Sequence, residues 1–186
     1  LARADARGLE KMLGAFGLEA QALARGIDPR PVNENRLAKS IAAEETFEID
    51  IRDRAELEHH LLEQAARVAR RLCREGLLGR SVTVKVKYSD FRIETRRTTL
   101  PRAVGDTDSI FDAARQLLRR LDLPKAVRLT GISVAALATQ ESERGLFPEP
   151  AAERRQRLEE VGTRIADRFG SKGLTRAALL PAPGKN

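Results

Sequence analysis

Leu57, Leu61, Ala65, Val68 and Leu72 recur at intervals of three and four residues, drawing one apolar stripe along an otherwise charged segment. That period predicts an amphipathic helix with a single buried face. Asp53 with Glu56 three residues on matches a reciprocal capping pattern and marks its start, and Gly76 marks its end. A second helix of the same kind, capped near Thr107 or Asp108, would bury Ile110, Phe111, Ala114, Leu117, Leu118 and Leu121. Between the two, Val82, Val84, Val86 and Tyr88 alternate with Thr83, Lys85 and Lys87, the period of two of a half-buried strand. A Ser89-Asp90-Phe91 turn leads to a return strand from Arg92 to Leu100, which Pro101 should end. Ile93 and Leu100 cannot both point inward along a regular strand, so a twist or bulge is expected between them, and alternation does not assign Arg96 against Arg97. Lys39 to Ile51 reads as an irregular first strand. Val127 to Leu137 reads as the last, with a bulge expected where its alternation shifts at Gly131.

The order is therefore β-α-β-β-α-β, an α+β arrangement that folds naturally as a four-stranded antiparallel sheet with both helices on one face. The other face is left open. Ahead of it, Leu9, Met12, Leu13 and Phe16 are spaced as a helix that Gly17 would stop, and a shorter helix through Ala20, Leu23 and Ala24 would end at Gly26. Prolines 29 and 31 then mark an extended linker. After the sheet come a polar connector and a charged helix bearing Leu158, Val161, Ile165 and Phe169, ending at Gly170, with a stub, LTRAALL, that can pack back. The expected division is 1–28 helical, 29–38 linker, 39–139 the sheet domain, and 140–186 connector and tail.

Composition changes the picture in two ways. A net charge of +7 and a pI near 10.2 favour a polyanionic partner, nucleic acid or an anionic membrane surface. The surplus is local: Arg80, Lys85, Lys87, Arg92, Arg96, Arg97 and Arg102 stand against only Asp90 and Glu94, mostly on one hairpin. The single Cys73 excludes an intramolecular disulfide framework, and no apolar run approaches the ~20 residues of a membrane span. A soluble protein of a reducing compartment, the cytoplasm, is expected. The chain starts without Met in mid-pattern, as an excised piece of a longer protein would.

Thr83, Lys85 and Lys87 share the open face, and cations at every second strand position recur about every 6–7 Å, commensurate with the charge repeat of a nucleic-acid strand. The alternative is a solvated face whose lysines discourage edge pairing. Aromatic content is 4%, with no Trp, and Tyr88 falls on the apolar parity, which disfavours an RNA-recognition sheet that stacks bases. Phosphate contacts with a duplex suit such a surface better. Enzyme chemistry is poorly supported. His59 and His60 are adjacent and point about 100° apart on a helix; Cys73 has no partner His; Asp50 and Asp53 suit strand-end and capping roles; and no glycine-rich phosphate loop is present.

KSIAAEETFEIDI, GRSVTVKVKYSDFRIETRRTTLP and VRLTGISVAAL, in that order, resemble the C-terminal little-finger domain of Y-family DNA polymerases, translesion enzymes of the DNA polymerase IV type. FGLEAQALARGIDPRPV is similar to the end of that family's thumb and its linker. The resemblance implies a domain that grips primer-template DNA beside the thumb, palm and fingers of a parent polymerase during damage bypass. It implies contacts from Lys39 and Ser40 on the first strand, from Thr83, Lys85, Lys87, Arg96, Arg97 and Thr98 on the hairpin, and from Arg128 and Thr130 on the last. The chain departs from the family at Ala42, where glycine is frequent, and at Thr98, where arginine is. ERGLF keeps the Leu146-Phe147 end of a sliding-clamp motif but has Glu143 in the glutamine place. The family's metal-binding carboxylates are not in this chain, so no cofactor is expected here, Mg belonging to the parent, and the chain alone should not polymerise. The alternative is a protein-interaction module that docks on polymerase domains or a clamp.

Overall fold

A computed structural model describes residues 1–31, 38–140, 150–170 and 173–180, which fall into two compact units, Leu1–Leu37 and Ala38–Asn186. In the first unit, helix α1 (Ala6–Leu13) and helix α2 (Ala15–Ala24) form a hairpin. The residue that ends α1 is Gly14, at φ 65°, and not Gly17 as the spacing predicts. Gly17 lies inside α2 because the helices cross there: a Cβ on it would stand 2.4 Å from the Leu9 carbonyl oxygen. Leu9 is the buried apolar residue of α1, whereas Met12 and Phe16 are exposed.

The second unit is built on β1 (Ser40–Ile51), α3 (Arg54–Arg74), β2 (Leu77–Tyr88), β3 (Ile93–Val104), α4 (Thr107–Arg119) and β4 (Val127–Thr139). The strands make one antiparallel sheet in the order β1-β4-β2-β3. The helix α3 begins where expected, with the Asp53 carboxylate accepting the Ala55 N–H at 3.2 Å, and all five residues of its apolar stripe are fully buried. They pack with Ile110, Ala114, Leu117 and Leu118 of α4 against Ile41, Val82, Val84, Val86, Tyr88, Ile132 and Val134 of the sheet. The fold class is thus as the period of the apolar positions predicts. Arg54 ties the helices together, its guanidinium donating to the Leu118 and Leu121 carbonyls at the C-terminal end of α4 at 2.6 and 2.9 Å.

Two strand details differ from expectation. Pairing of β4 with both neighbours runs without interruption through Gly131, so no bulge lies there; the irregularity falls instead between Lys87 and Tyr88, opposite Leu129 and Val127. In β3 the pairing is regular from Ile93 to Thr99, because Ile93 simply faces outward, 51% exposed. The register breaks after Thr99, and the strand continues past Pro101 to Val104. As an outer strand β3 tolerates a proline there.

Beyond the sheet, α5 (Pro150–Phe169) docks on α3 by a polar side: Glu159 and Thr163 are buried while Leu158, Val161 and Phe169 are exposed. Of the apolar residues noted on this helix, Ile165 is half-buried and the other three are exposed. The Glu159 carboxylate accepts the Thr107 N–H at 3.1 Å and its hydroxyl at 2.7 Å, so a residue of the tail closes the positive end of α4. Arg176, ahead of a short 3-10 turn at Ala177–Leu179, bonds Asp108 and reaches Glu159 at 3.5 Å. Replacing Glu159→Gln should weaken this latch by about 1–2 kcal/mol, the usual worth of a charge-assisted bond. Amide exchange should then accelerate about tenfold in α5 and hardly at all in β2; equal rates in both proteins would remove the latch.

Candidate nucleic-acid interface

Residues directly opposite in neighbouring strands share a face of the sheet, so the register lays out the side away from α3 and α4. One row crosses Ala42, Ser133, Thr83 and Arg97; the next Glu44, Gly131, Lys85 and Thr95; the next Thr46, Leu129, Lys87 and Ile93. On β1 and β4 the small residues Ala42, Thr46, Ser133 and Gly131 sit with Glu44 and Leu129, and the cations Lys85, Lys87 and Arg97 stand on β2 and β3. The result is a shallow floor flanked by positive charge, where a polyanion backbone can approach closely.

Among the described residues neither Lys87 nor Arg97 has a carboxylate partner. Lys85 does, its ammonium lying 2.9 Å from the Glu44 carboxylate. That ion pair crosses over β4, since Glu44 and Lys85 both stand opposite Gly131. A Cβ at Gly131 would meet the Glu44 Cγ at 2.6 Å, so the missing side chain is what lets Glu44 reach across.

The structure sorts the expected contact residues. Thr83, Lys85, Lys87 and Arg97 come together on the open face, with Ser40 on the same side at the end of β1 and the exposed Lys39 just before it. Arg96 and Thr98 stand opposite Val84 and Val82 and so lie on the helix side of β3, where Arg96 is 3.7 Å from Glu94. Thr130 corrects the expectation: it is 0% exposed, and its hydroxyl accepts the Gln64 amide at 2.8 Å beneath the sheet. Strict alternation with Ile132 and Val134 puts it inward. Arg128, at the β2–β4 irregularity, is 3.8 Å from Asp50 and stacks on Phe91 at 5.1 Å. Leu146 and Phe147 lie outside the described residues.

The hairpin tip is held by Asp90, whose carboxylate accepts the Lys125 ammonium at 2.7 Å and the Arg92 N–H at 3.2 Å. Lys125 first, then the Arg92 amide, lowers its pKa below the ordinary aspartate value. Composition gave no sign of Phe91, the aromatic at the end of this turn, because a 4% aromatic content does not reveal that one ring stands in the open.

One metal-ligating group occurs among the described residues: Glu45, His60 and Glu63, with ligand atoms within 4.8 Å of one another. Spacing along the helix missed it because Glu45 comes from β1. Its donor set includes an imidazole, which does not suit Mg. Glu45 is already bonded to Arg67 at 2.6 Å, and its partner on β4 is the inward-facing Thr130, so the group lies on the helix side. No helix of the described residues is long and apolar enough to cross a membrane.

Comparison with known proteins agrees with this architecture. Residues 38–146 match the impB/mucB/samB family C-terminal domain. Similar proteins include DNA polymerase IV of Desulfatibacillum aliphaticivorans, 40% identical over 98% of this chain and 48% of the relative. DNA polymerase IV of Moorella thermoacetica is 38% identical over 95% of this chain and 44% of the relative. The chain thus spans about half the length of these relatives. Among solved structures, a post-insertion binary complex of Dbh DNA polymerase shares the fold, with TM-score 0.50 and 21% identity over 73% of this chain and 40% of that one. The chain belongs to the impB/mucB/samB family of Y-family DNA polymerases, of DNA polymerase IV type, and carries its C-terminal, little-finger domain.

Proposed function

We propose that the open sheet face grips the backbones of template-primer duplex, making this chain the non-catalytic DNA-binding part of a translesion polymerase that works in cytoplasmic DNA repair. The observation that carries this reading is the placement of Lys85, Lys87 and Arg97 on one exposed face beside a floor of Ala42, Ser133 and Gly131. Cations that recur with the strand repeat contact phosphates without reading bases. The partners of such a domain are the primer-template and the thumb, palm and fingers of the same polymerase. Nucleotidyl transfer, with its Mg, belongs to those other domains; Glu45, His60 and Glu63 do not suit that ion.

The test is a salt titration of binding to primer-template duplex and to single-stranded RNA. Phosphate gripping requires log K to fall linearly with log salt at roughly −0.9 per contact on duplex. Salt-independent binding, or tighter binding to the RNA, would overturn the reading. A second outcome follows from the ion pair over Gly131. Glu44→Gln frees Lys85 and removes an acid from the face, so duplex affinity should rise and the salt slope should steepen by about one contact. An unchanged slope would mean that Lys85 touches no phosphate.

A further inference from the structure

Phe91 gains nothing usual from its position. It follows Asp90 in a turn closed by its own N–H on the Tyr88 carbonyl at 2.9 Å, and its φ of 67° lies in the left-handed region, where glycine or asparagine is the common occupant and a bulky residue is strained. Its ring is 60% exposed and takes no part in the core. What the ring does touch is two cations: the Lys87 ammonium 4.6 Å from its centroid and the Arg128 guanidinium at 5.1 Å.

We propose that Phe91 is a positioning residue that gathers Lys87 from β2 and Arg128 from β4 into one phosphodiester-binding pair at the turn end of the open face. Two like charges repel, and two flexible side chains from different strands have no reason to converge. An electron-rich ring face attracts both, offsetting part of that repulsion and restricting their rotamers. The Asp50 carboxylate, 3.8 Å from Arg128, is a second anchor for the guanidinium. A doubly negative neighbourhood such as adjacent phosphates of one strand then meets both cations already in place. The strain and exposure of the ring are explained by this work, which neither turn geometry nor burial explains. The inference rests on the open face being the duplex-binding surface.

Two measurements test it. Without DNA, ring-current shifts of the Lys87 ε-methylene and Arg128 δ-methylene protons should be present in the wild type and in Phe91→Tyr, and absent in Phe91→Leu. Their absence from the wild type would overturn the positioning itself, whatever the domain binds. With primer-template duplex, followed by anisotropy, Phe91→Leu and Phe91→Gly should bind roughly fivefold more weakly and Phe91→Tyr as the wild type does. Phe91→Gly should melt no lower than the wild type because it relieves the backbone. On a Lys87→Ala/Arg128→Ala background the Phe91 substitutions should change nothing. An effect that persists on that background, or Phe91→Leu binding like the wild type while the wild type keeps its phosphate salt slope, would overturn the proposal. A wild type lacking that slope would fail the open-face reading instead, and the phosphate role of the pair with it.

Discussion

Lys87→Glu/Arg97→Glu is expected to lower affinity for primer-template duplex by roughly tenfold or more at low salt and to flatten the salt slope by about two contacts. Arg96→Glu, one position along the chain from Arg97, should leave the slope where it was. Arg97→Glu alone should flatten the slope by about one contact, and net charge cannot produce its contrast with Arg96→Glu, since reversing Arg96 or Arg97 changes the charge equally. Facing does: Arg97 stands opposite Thr83 on the open side, and Arg96 opposite Val84 on the helix side. Arg96 also lies near Glu94, which already offsets its charge. Anisotropy titrations of Arg97→Glu and Arg96→Glu, beside the double variant, at several salt concentrations decide the matter, and equal slope changes in the two single variants would show that the two faces are not distinguished.

The largest effect on stability is expected from Leu61→Ala. Leu61 is fully buried at the middle of the α3 stripe, between the sheet and α4. Truncating such a leucine removes its transfer free energy and leaves a cavity, together about 2–5 kcal/mol. For a chain of this size each kcal/mol shifts Tm by roughly 2–4 °C, so calorimetry should register a fall of roughly 5–15 °C. A shift below ~2 °C would mean that the helix layer relaxes around the loss.

These two predictions differ in how far the sequence alone supports them. The α3 stripe was legible because a helix buries residues at its own period, and Leu57 to Leu72 carry that period without a break. The β2 alternation was legible for the same reason, which also put Tyr88 inside. Reading failed where a residue's role depends on a partner distant in sequence. Gly131 looks like a bulge along β4, yet its meaning comes from Glu44 and Lys85 on the strands either side. Arg96 and Arg97 could not be separated until the pairing partners of β3 were known. Thr130 was expected among the contacts on the strength of the family resemblance, and it is buried, with Gln64 of α3 supplying its hydrogen bond. The packing of the tail helix was not legible for a related reason. Its contact is made by Glu159, whose partner is the amide end of another helix.

The ion pair over Gly131 also bears on movement. On the proposed reading, Lys85 leaves a phosphate for the Glu44 carboxylate and leaves that carboxylate for the next phosphate. The ammonium then passes between anions without standing bare in either step. A cation with a resident substitute partner lowers the barrier to stepping along a backbone, at the expense of the affinity with which it holds any one place. Glu44→Gln should therefore produce a domain that grips harder and slides more slowly, because Lys85, which alone of the three open-face cations Lys85, Lys87 and Arg97 has a carboxylate among the described residues to step back to, would lose it.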